Sequence, residues 1–215
     1  MECKCKSYKA HPWHGIDPGK SPPEEINVFV EIVPTDTVKY EIDKTSGYLT
    51  IDRPQKFSNV VPTLYGFIPR TYCGPLIAEY DTLKSGKTTI KGDGDPLDVC
   101  VLCERTIAHG DILLHAVPIG GLRMTDKGES DDKIIAVLKG DEVYASWVDI
   151  EHVPEAMINR LKHYFLTYKN IPGKEIRPSV ELVSVFGKKE ALNVINKCIK
   201  DYQVKFVDAI SIPIK

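Results

Sequence analysis

The apolar residues of this chain follow two rhythms, and the switch between them restricts the fold most. Up to about residue 138 they come in short runs, alternating with polar residues or bounded by turns. After residue 154 they recur every three to four positions. INVFVEIV, 26–33, puts Val28, Val30 and Ile32 on one strand face and Phe29 and Glu31 on the other. VKYEID, 38–43, places Lys39 and Glu41 on a shared face, and Thr45-Ser46-Gly47 turns the chain into YLTIDR, 48–53, as a hairpin. Further strands are predicted over 97–102, 111–119 and 133–138. Two amphipathic helices follow. Over 154–169 the stripe is Met157, Leu161, Tyr164, Phe165 and Tyr168; over 189–203 it is Ala191, Leu192, Ile195, Cys198, Ile199 and Tyr202. Many short strands followed by helices give an α+β fold: a small closed, OB-like β-barrel of about five strands with helices packed outside.

The chain has 215 residues, 42% of them apolar, enough for one sizeable core, so residues 1–215 are expected to form a single domain. Residues 1–25 have no periodicity and read as an arm wrapped over the surface. Residues 70–92 are polar, with Gly and Lys, and are expected to be a surface insertion because the stretch is too long for an ordinary connection. A formal charge of −2 argues against a nucleic-acid partner. No apolar run approaches the ~20 residues of a membrane span. The start, MECKCKSYKAHPWHG, lacks the apolar stretch of a signal peptide, so a cytoplasmic protein with no membrane partner is expected. The six cysteines do not form a secreted disulfide framework. Cys3, Cys5, His11 and His14 could hold a soft metal and Cys100-x-x-Cys103 could be half a zinc site. The plainer readings are a polar terminus and a strand whose Val101 and Leu102 face the core.

The densest chemical signal is Gly92-Asp93-Gly94-Asp95-Pro96-Leu97-Asp98, three carboxylates within six residues before an apolar strand. Carboxylates so crowded repel one another unless cations lie between them, and hard oxygen donors suit Mg²⁺, Mn²⁺ or Ca²⁺. Taken alone, the run could equally be a solvated acidic turn. An EF-hand beginning at Asp93 would need Asp or Asn where Leu97 stands and Gly where Asp98 stands. A phosphate loop ending in Gly86-Lys87-Thr88 would need Gly where Asp81 stands. A second acidic group, Asp126, Asp131 and Asp132 beside Lys133, would by itself be an exposed loop.

The whole pattern resembles the soluble family I inorganic pyrophosphatases. Their signature D-[SGDN]-D-[PE]-[LIVMF]-D-[LIVMGAC] stands complete as Asp93-Gly94-Asp95-Pro96-Leu97-Asp98-Val99. VEIVPTDTVKYEIDKTSGYLTIDR, LYGFIP at 64–69, GLRMTDKGESDDKIIAV and HYFLTYK extend the resemblance in the same order, from about Glu24 to Lys169. The resemblance implies hydrolysis of pyrophosphate to two phosphates by a water activated by several Mg²⁺ ions. Mn²⁺ or Zn²⁺ would substitute and Ca²⁺ would inhibit. It implies that Asp93, Asp98 and Asp131 hold the activating metals, that Asp126 with Asp131 binds one arriving with substrate, and that Glu31 reaches a fourth. Asp95 would take the proton from the water. Lys39, Arg53, Lys133, Tyr168 and Lys169 would grip the phosphates, Tyr65 would hydrogen-bond within the site, and Glu41 would balance the cations. A homo-oligomer is expected.

That inventory also makes chemical sense on its own. Cleaving a diphosphate needs a nucleophile at neutral pH, which water between divalent ions supplies, and charge stabilisation by Lys, Arg and metals. Two rivals are a phosphohydrolase acting on an organic diphosphate and a non-enzymatic barrel keeping a relic of the site. The chain departs from the family at Val61, where a tyrosine is common, and at Lys127, where an acidic residue often follows the aspartate. A donor position left vacant at Val61, or filled by Tyr72 or Tyr80, is expected on that basis.

Overall fold

The computed structural model describes residues 9–169 and 179–207. Eight strands join in one mixed sheet: β1 (Ile26–Ile32), β4 (Leu64–Phe67), β5 (Lys91–Gly92), β6 (Asp98–Leu102), β7 (Ile112–Asp126), β8 (Glu129–Ser130), β9 (Lys133–Leu138) and β10 (Val180–Gly187). The order β1-β4-β6-β9-β7, with β1 pairing β7, closes five of them into a ring. β2 (Val38–Ile42) and β3 (Leu49–Pro54) form a separate hairpin. The helices are α1 (Pro75–Ser85), α2 (Glu155–Thr167) and α3 (Lys188–Tyr202). The α+β, five-strand closed arrangement read from the sequence is the one observed.

Strands buried on both faces explain the continuous apolar runs of β6 and β9. In β6, Val99 and Val101 face a cluster with Ala191, Val194, Ile195 and Cys198 of α3. Their neighbours Cys100 and Leu102 face a cluster with Ile158, Leu161, Tyr164 and Phe165 of α2. β9 divides in the same way, Ile134 and Ala136 to one side and Ile135 and Val137 to the other. The period of two thus assigns each strand residue to the layer of one helix.

Three expectations are corrected. Ile32 does not share a core layer with Val28 and Val30, because the pairing with β4 slips between Val30 and Ile32 and carries Ile32 into the α2 layer. The strand expected over 111–119 runs on to Asp126, since a second register shift at Pro118/Gly120 lets it leave β1 and pair β10 and β8. Residues 70–92 are not a polar excursion. They contain α1, whose Ile77, Ala78 and Asp81 are buried. Its periodicity is weak because a buried aspartate stands in the inner stripe, and Leu83 lies exposed.

The N-terminal arm is docked over its described part. Trp13 is buried with Phe29, Phe67 and Tyr202, donates its indole N–H to Thr71 O at 2.7 Å and stacks on His14. Cys3 and Cys5 lie outside the described residues. His11 Nδ1 accepts the backbone N–H groups of Trp13 and His14, and His14 Nδ1 meets the Tyr202 hydroxyl at 2.8 Å. Cys100 is buried in β6, and both it and Cys103 are free thiols. Among the described residues no helix is long and apolar enough to cross a membrane.

Candidate active site

The carboxylate run is fixed from behind by the residues leading into α1. Cys73 N donates to Asp95 O at 2.8 Å and Gly94 N to Cys73 O at 3.1 Å. Gly92 is required by this approach, since a Cβ there would lie 2.2 Å from Cys73 O. Within the run, Asp95 N donates to Asp93 Oδ1 at 2.9 Å. The strand that follows pairs parallel with β9, and the register puts Asp98 opposite Lys133. Lys133 Nζ donates to both Asp98 and Asp131. From the next strand, Tyr65 donates its hydroxyl to Asp98 Oδ2 at 2.6 Å.

Other elements complete the walls. The β7–β8 hairpin turns through Lys127 and Gly128 at φ 52° and 84°, between the paired Asp126 and Glu129. Two positive-φ residues in a two-residue loop are the primed turn a twisted hairpin favours. They bring Asp126 against Lys169, just beyond α2, at 2.6 Å. Glu31 projects from the irregular end of β1 and accepts Ile42 N at 2.7 Å. Lys39 Nζ lies 3.0 Å from Glu41 and 2.9 Å from Asp52.

These groups line one cleft of about 230 Å³: Glu31, Lys39, Glu41, Tyr65, Asp93, Asp95, Asp98, Asp126, Asp131, Lys133, Tyr168 and Lys169 all reach it. Of the residues read from the sequence, Arg53 stands outside the lining. It pairs with Asp52, with its guanidinium carbon 6.0 Å from the Tyr168 ring centre. Lys44, Glu129 and Ser130 line the cleft unanticipated. Lys44 pairs with Asp95. It follows the end of β2, where strand alternation no longer reports direction. Val61 is no vacant donor position. It is 1% exposed and packed with Ile32, Cys100 and Tyr164, and it is absent from the lining. Tyr80 is no substitute, because its hydroxyl donates to Glu190 at 2.8 Å.

Charge in the cleft is unbalanced, with eight carboxylates against four lysines in the lining. The imbalance appears in the titration of individual groups. Burial, aided by Asp98 and Glu41, pushes Glu31 up to about 8 despite the Ile42 N–H. Burial and the neighbouring Asp95 and Asp98 push Asp93 up to about 8. Burial also raises Asp95 against the pull of Lys44, and Asp131 against that of Lys133. Burial would lower Lys133, yet Asp131 and Asp98 hold it well above the usual lysine range. Asp126 is instead held low: burial would raise it, but Lys169, Ser179 and Lys127 together outweigh burial.

Carboxylates held protonated above their ordinary range, as Glu31 and Asp93 are, are sites where a cation can displace the proton. Asp126 Oδ1 is buried without a hydrogen-bond partner, and the donor set is hard oxygen throughout. The residues therefore fit divalent Mg²⁺-type ions. As the side chains stand, the cation between Asp98 and Asp131 is Lys133, and among the described residues no three acidic, His or Cys side chains converge on a metal position.

An opening lined by oxygen donors and ammonium groups together suits a class of protein that takes up a compact polyanion along with hard cations. Comparison with known proteins makes the class specific. Residues 28–203 match the family model described as inorganic pyrophosphatase, and the chain belongs to that family. It is 50% identical over 195 residues to the inorganic pyrophosphatase of Chlamydia muridarum, covering 89% of this chain and 93% of that one. It is 35% identical to soluble inorganic pyrophosphatase 2 of Chlamydomonas reinhardtii, covering 92% and 91%. The crystal structure of the Thermus thermophilus inorganic pyrophosphatase superposes with a TM-score of 0.75 at 28% identity, covering 90% of this chain and 99% of that one.

Proposed function

We propose that this chain hydrolyses inorganic pyrophosphate to two orthophosphates in the cleft between the carboxylate run and the lysines of β2, β9 and the end of α2. The observation that carries the reading is the facing of Asp93, Asp95, Asp98 and Asp131 by Lys39, Lys133 and Lys169 in one opening. Asp93, Asp98 and Asp131 would hold Mg²⁺ ions, with Asp126 and Glu31 serving further ions. Bound divalent ions supply a water acidic enough to ionise near neutral pH and offset phosphate charge. Asp95 takes the proton of the attacking water. Lys39, Lys133, Lys169 and Tyr168 bind the phosphate oxygens and orient the P–O–P bridge. Arg53, beside Tyr168, reaches the outer phosphate from the rim. Tyr65 orients Asp98, and Glu41 keeps Lys39 in place.

The proton needs of the two ends are consistent. The attacking water loses one proton, and the leaving phosphate gains charge that the lysines and ions neutralise. Mn²⁺ or Zn²⁺ would replace Mg²⁺, while Ca²⁺, with a larger and looser shell, would occupy the same oxygens and inhibit. A single domain, a cytoplasmic location and a homo-oligomer belong to the same reading. The test is phosphate release from pyrophosphate with Mg²⁺ and after chelation, compared with release from nucleoside diphosphates. Mg²⁺-dependent release from pyrophosphate in clear preference is expected. Equal turnover in excess chelator, or with Ca²⁺ alone, would refute it, and preference for the nucleotide would support an organic diphosphate as substrate.

A further inference from the structure

Both chain neighbours of Asp131 are buried and reach a charge cluster that the proposed reaction does not use, although Ser130 also borders the cleft. Ser130 and Asp132 are 0% and 2% exposed, and they meet Arg123 of β7 and Asp81 of α1, at 3% and 1%. Asp81 Oδ2 accepts the Ser130 hydroxyl, and Asp81 Oδ1 accepts Arg123 Nε at 3.1 Å. The same guanidinium lies 3.6 Å from Asp132 Oδ2 and 2.9 Å from Glu190 of α3. Asp132 Oδ1 accepts Met124 N at 3.0 Å, and Asp131 N donates to Met124 O at 3.0 Å. Asp81 itself is not among the cleft residues.

Helix α1 is tied down at both ends around this contact. Its first free N–H groups, Leu76 and Ile77, are met by the Asp201 carboxylate of α3 at 3.0 and 3.1 Å. Just past its C-terminus, Lys87 reaches Thr125 Oγ1 at 2.8 Å, next to Asp126. Three carboxylates around one buried arginine are poor value as stability, because desolvation offsets most of the attraction. What such a cluster does provide is a fixed geometry for the segment it grips, and here that segment is the turn bearing Asp131 and Lys133.

We infer that Asp81 is a positioning residue for the metal-binding side of the cleft: by holding Ser130 directly and Asp132 through Arg123, it fixes the direction in which Asp131 presents its carboxylate. The inference rests on the reading of Asp131 as an ion ligand. Partners that orient a ligand typically change metal affinity by about 10–100-fold when removed. The test is Mn²⁺ binding, followed by the spin-resonance signal of free Mn²⁺ well below the unfolding temperature, for the full chain and for Asp81→Ala, Asp81→Asn and Ser130→Ala. The Mg²⁺ concentration for half-maximal phosphate release is measured alongside. Asp81→Ala is expected to weaken Mn²⁺ binding by about tenfold or more and to raise the Mg²⁺ requirement in step. Asp81→Asn, which can still accept the Ser130 hydroxyl, should recover part of the loss.

A folded Asp81→Ala that binds Mn²⁺ within twofold of the parent, while melting earlier, would make Asp81 a stability residue and overturn the proposal. If Asp81→Ala does not fold, Ser130→Ala, which removes the hydroxyl that Asp81 holds, decides it by the same twofold criterion. A parent chain that binds Mn²⁺ but releases no phosphate refutes the functional reading alone, and the Mn²⁺ affinities of the variants still decide the role of Asp81.

Discussion

Asp95 and Asp98 sit three residues apart and are asked to do different things. Asp98 is met by Lys133 and Tyr65 in the wall of the cleft, whereas Asp95 meets the more exposed Lys44. Asp95→Asn preserves shape and removes the proton acceptor, so turnover should fall by about a hundredfold or more. Bound Mn²⁺ should change far less than in Asp98→Asn; an Asp95→Asn enzyme of normal turnover would show that the base is elsewhere. Val61 supports a different expectation from the one the family resemblance suggested. Packed at 1% exposure between β1, β6 and α2, it leaves no opening for a phenol. Val61→Tyr should lower stability by about 1–3 kcal/mol through overpacking and give no gain in phosphate release. Denaturant melts and a rate assay of the same preparation check both statements, and a faster enzyme of unchanged stability would refute them. The residue types at the site were legible because the carboxylate run is short and contiguous. Lys44 was not, since its place in the cleft depends on how the β2–β3 hairpin folds over the run.

Helix α1 shows why an element can be missed and still matter. Gly74 supplies no side-chain cap, and the Asp201 carboxylate, more than a hundred residues away, takes that role. Asp201→Ala should therefore cost about 0.5–2 kcal/mol, the usual range for a lost N-cap. For a chain of this size that is roughly 2–4 °C in Tm per kcal/mol, read by thermal melting; an unchanged Tm would show that water caps the helix equally well. Replacing 75–85 by a tight turn should not leave turnover nearly intact, as a surface loop would. It removes Asp81, exposes Arg123 and frees Cys73, which braces Gly94 and Asp95 from behind. Strands β4 and β10 also escaped detection as strands. LYGF is too short for alternation to show, and in β10 only Val180 and Phe186 are buried, so it carries no clear pattern. By contrast β6 and β9 were readable as short continuous apolar runs, the mark of strands buried on both faces, and α2 and α3 because burial of one face writes a helical period into the sequence.

For the molecule as a whole, the excess of carboxylates in the cleft links stability, pH and metal. Glu31 and Asp93 are raised to about 8 in the folded chain, above their ordinary values. The folded state thus holds protons that the unfolded state has released. The contribution is full below about pH 4, the ordinary carboxylate range, and is lost as pH rises through 8. A divalent ion takes the place of those protons, so its stabilisation must grow with pH. The rise in Tm caused by Mg²⁺ should be larger at pH 8 than at pH 6, and an equal rise at both would mean these carboxylates do not bind the ion. Asp126 is already held low by Lys169 and adds nothing in that window. By itself the sequence determined the α+β class, the elements that apolar runs and helical periods mark, and the residue types that the cleft gathers, because burial patterns the apolar residues and the ordered motifs together resemble one family. Only the tertiary structure decided that Asp98 and Lys133 stand side by side, that Val61 belongs to the core, and that a stretch resembling a loop is a helix gripping the far side of the Asp131 turn. Those outcomes depend on register, a bulge and a buried charge cluster between distant segments, and such contacts leave no local period for a sequence to display.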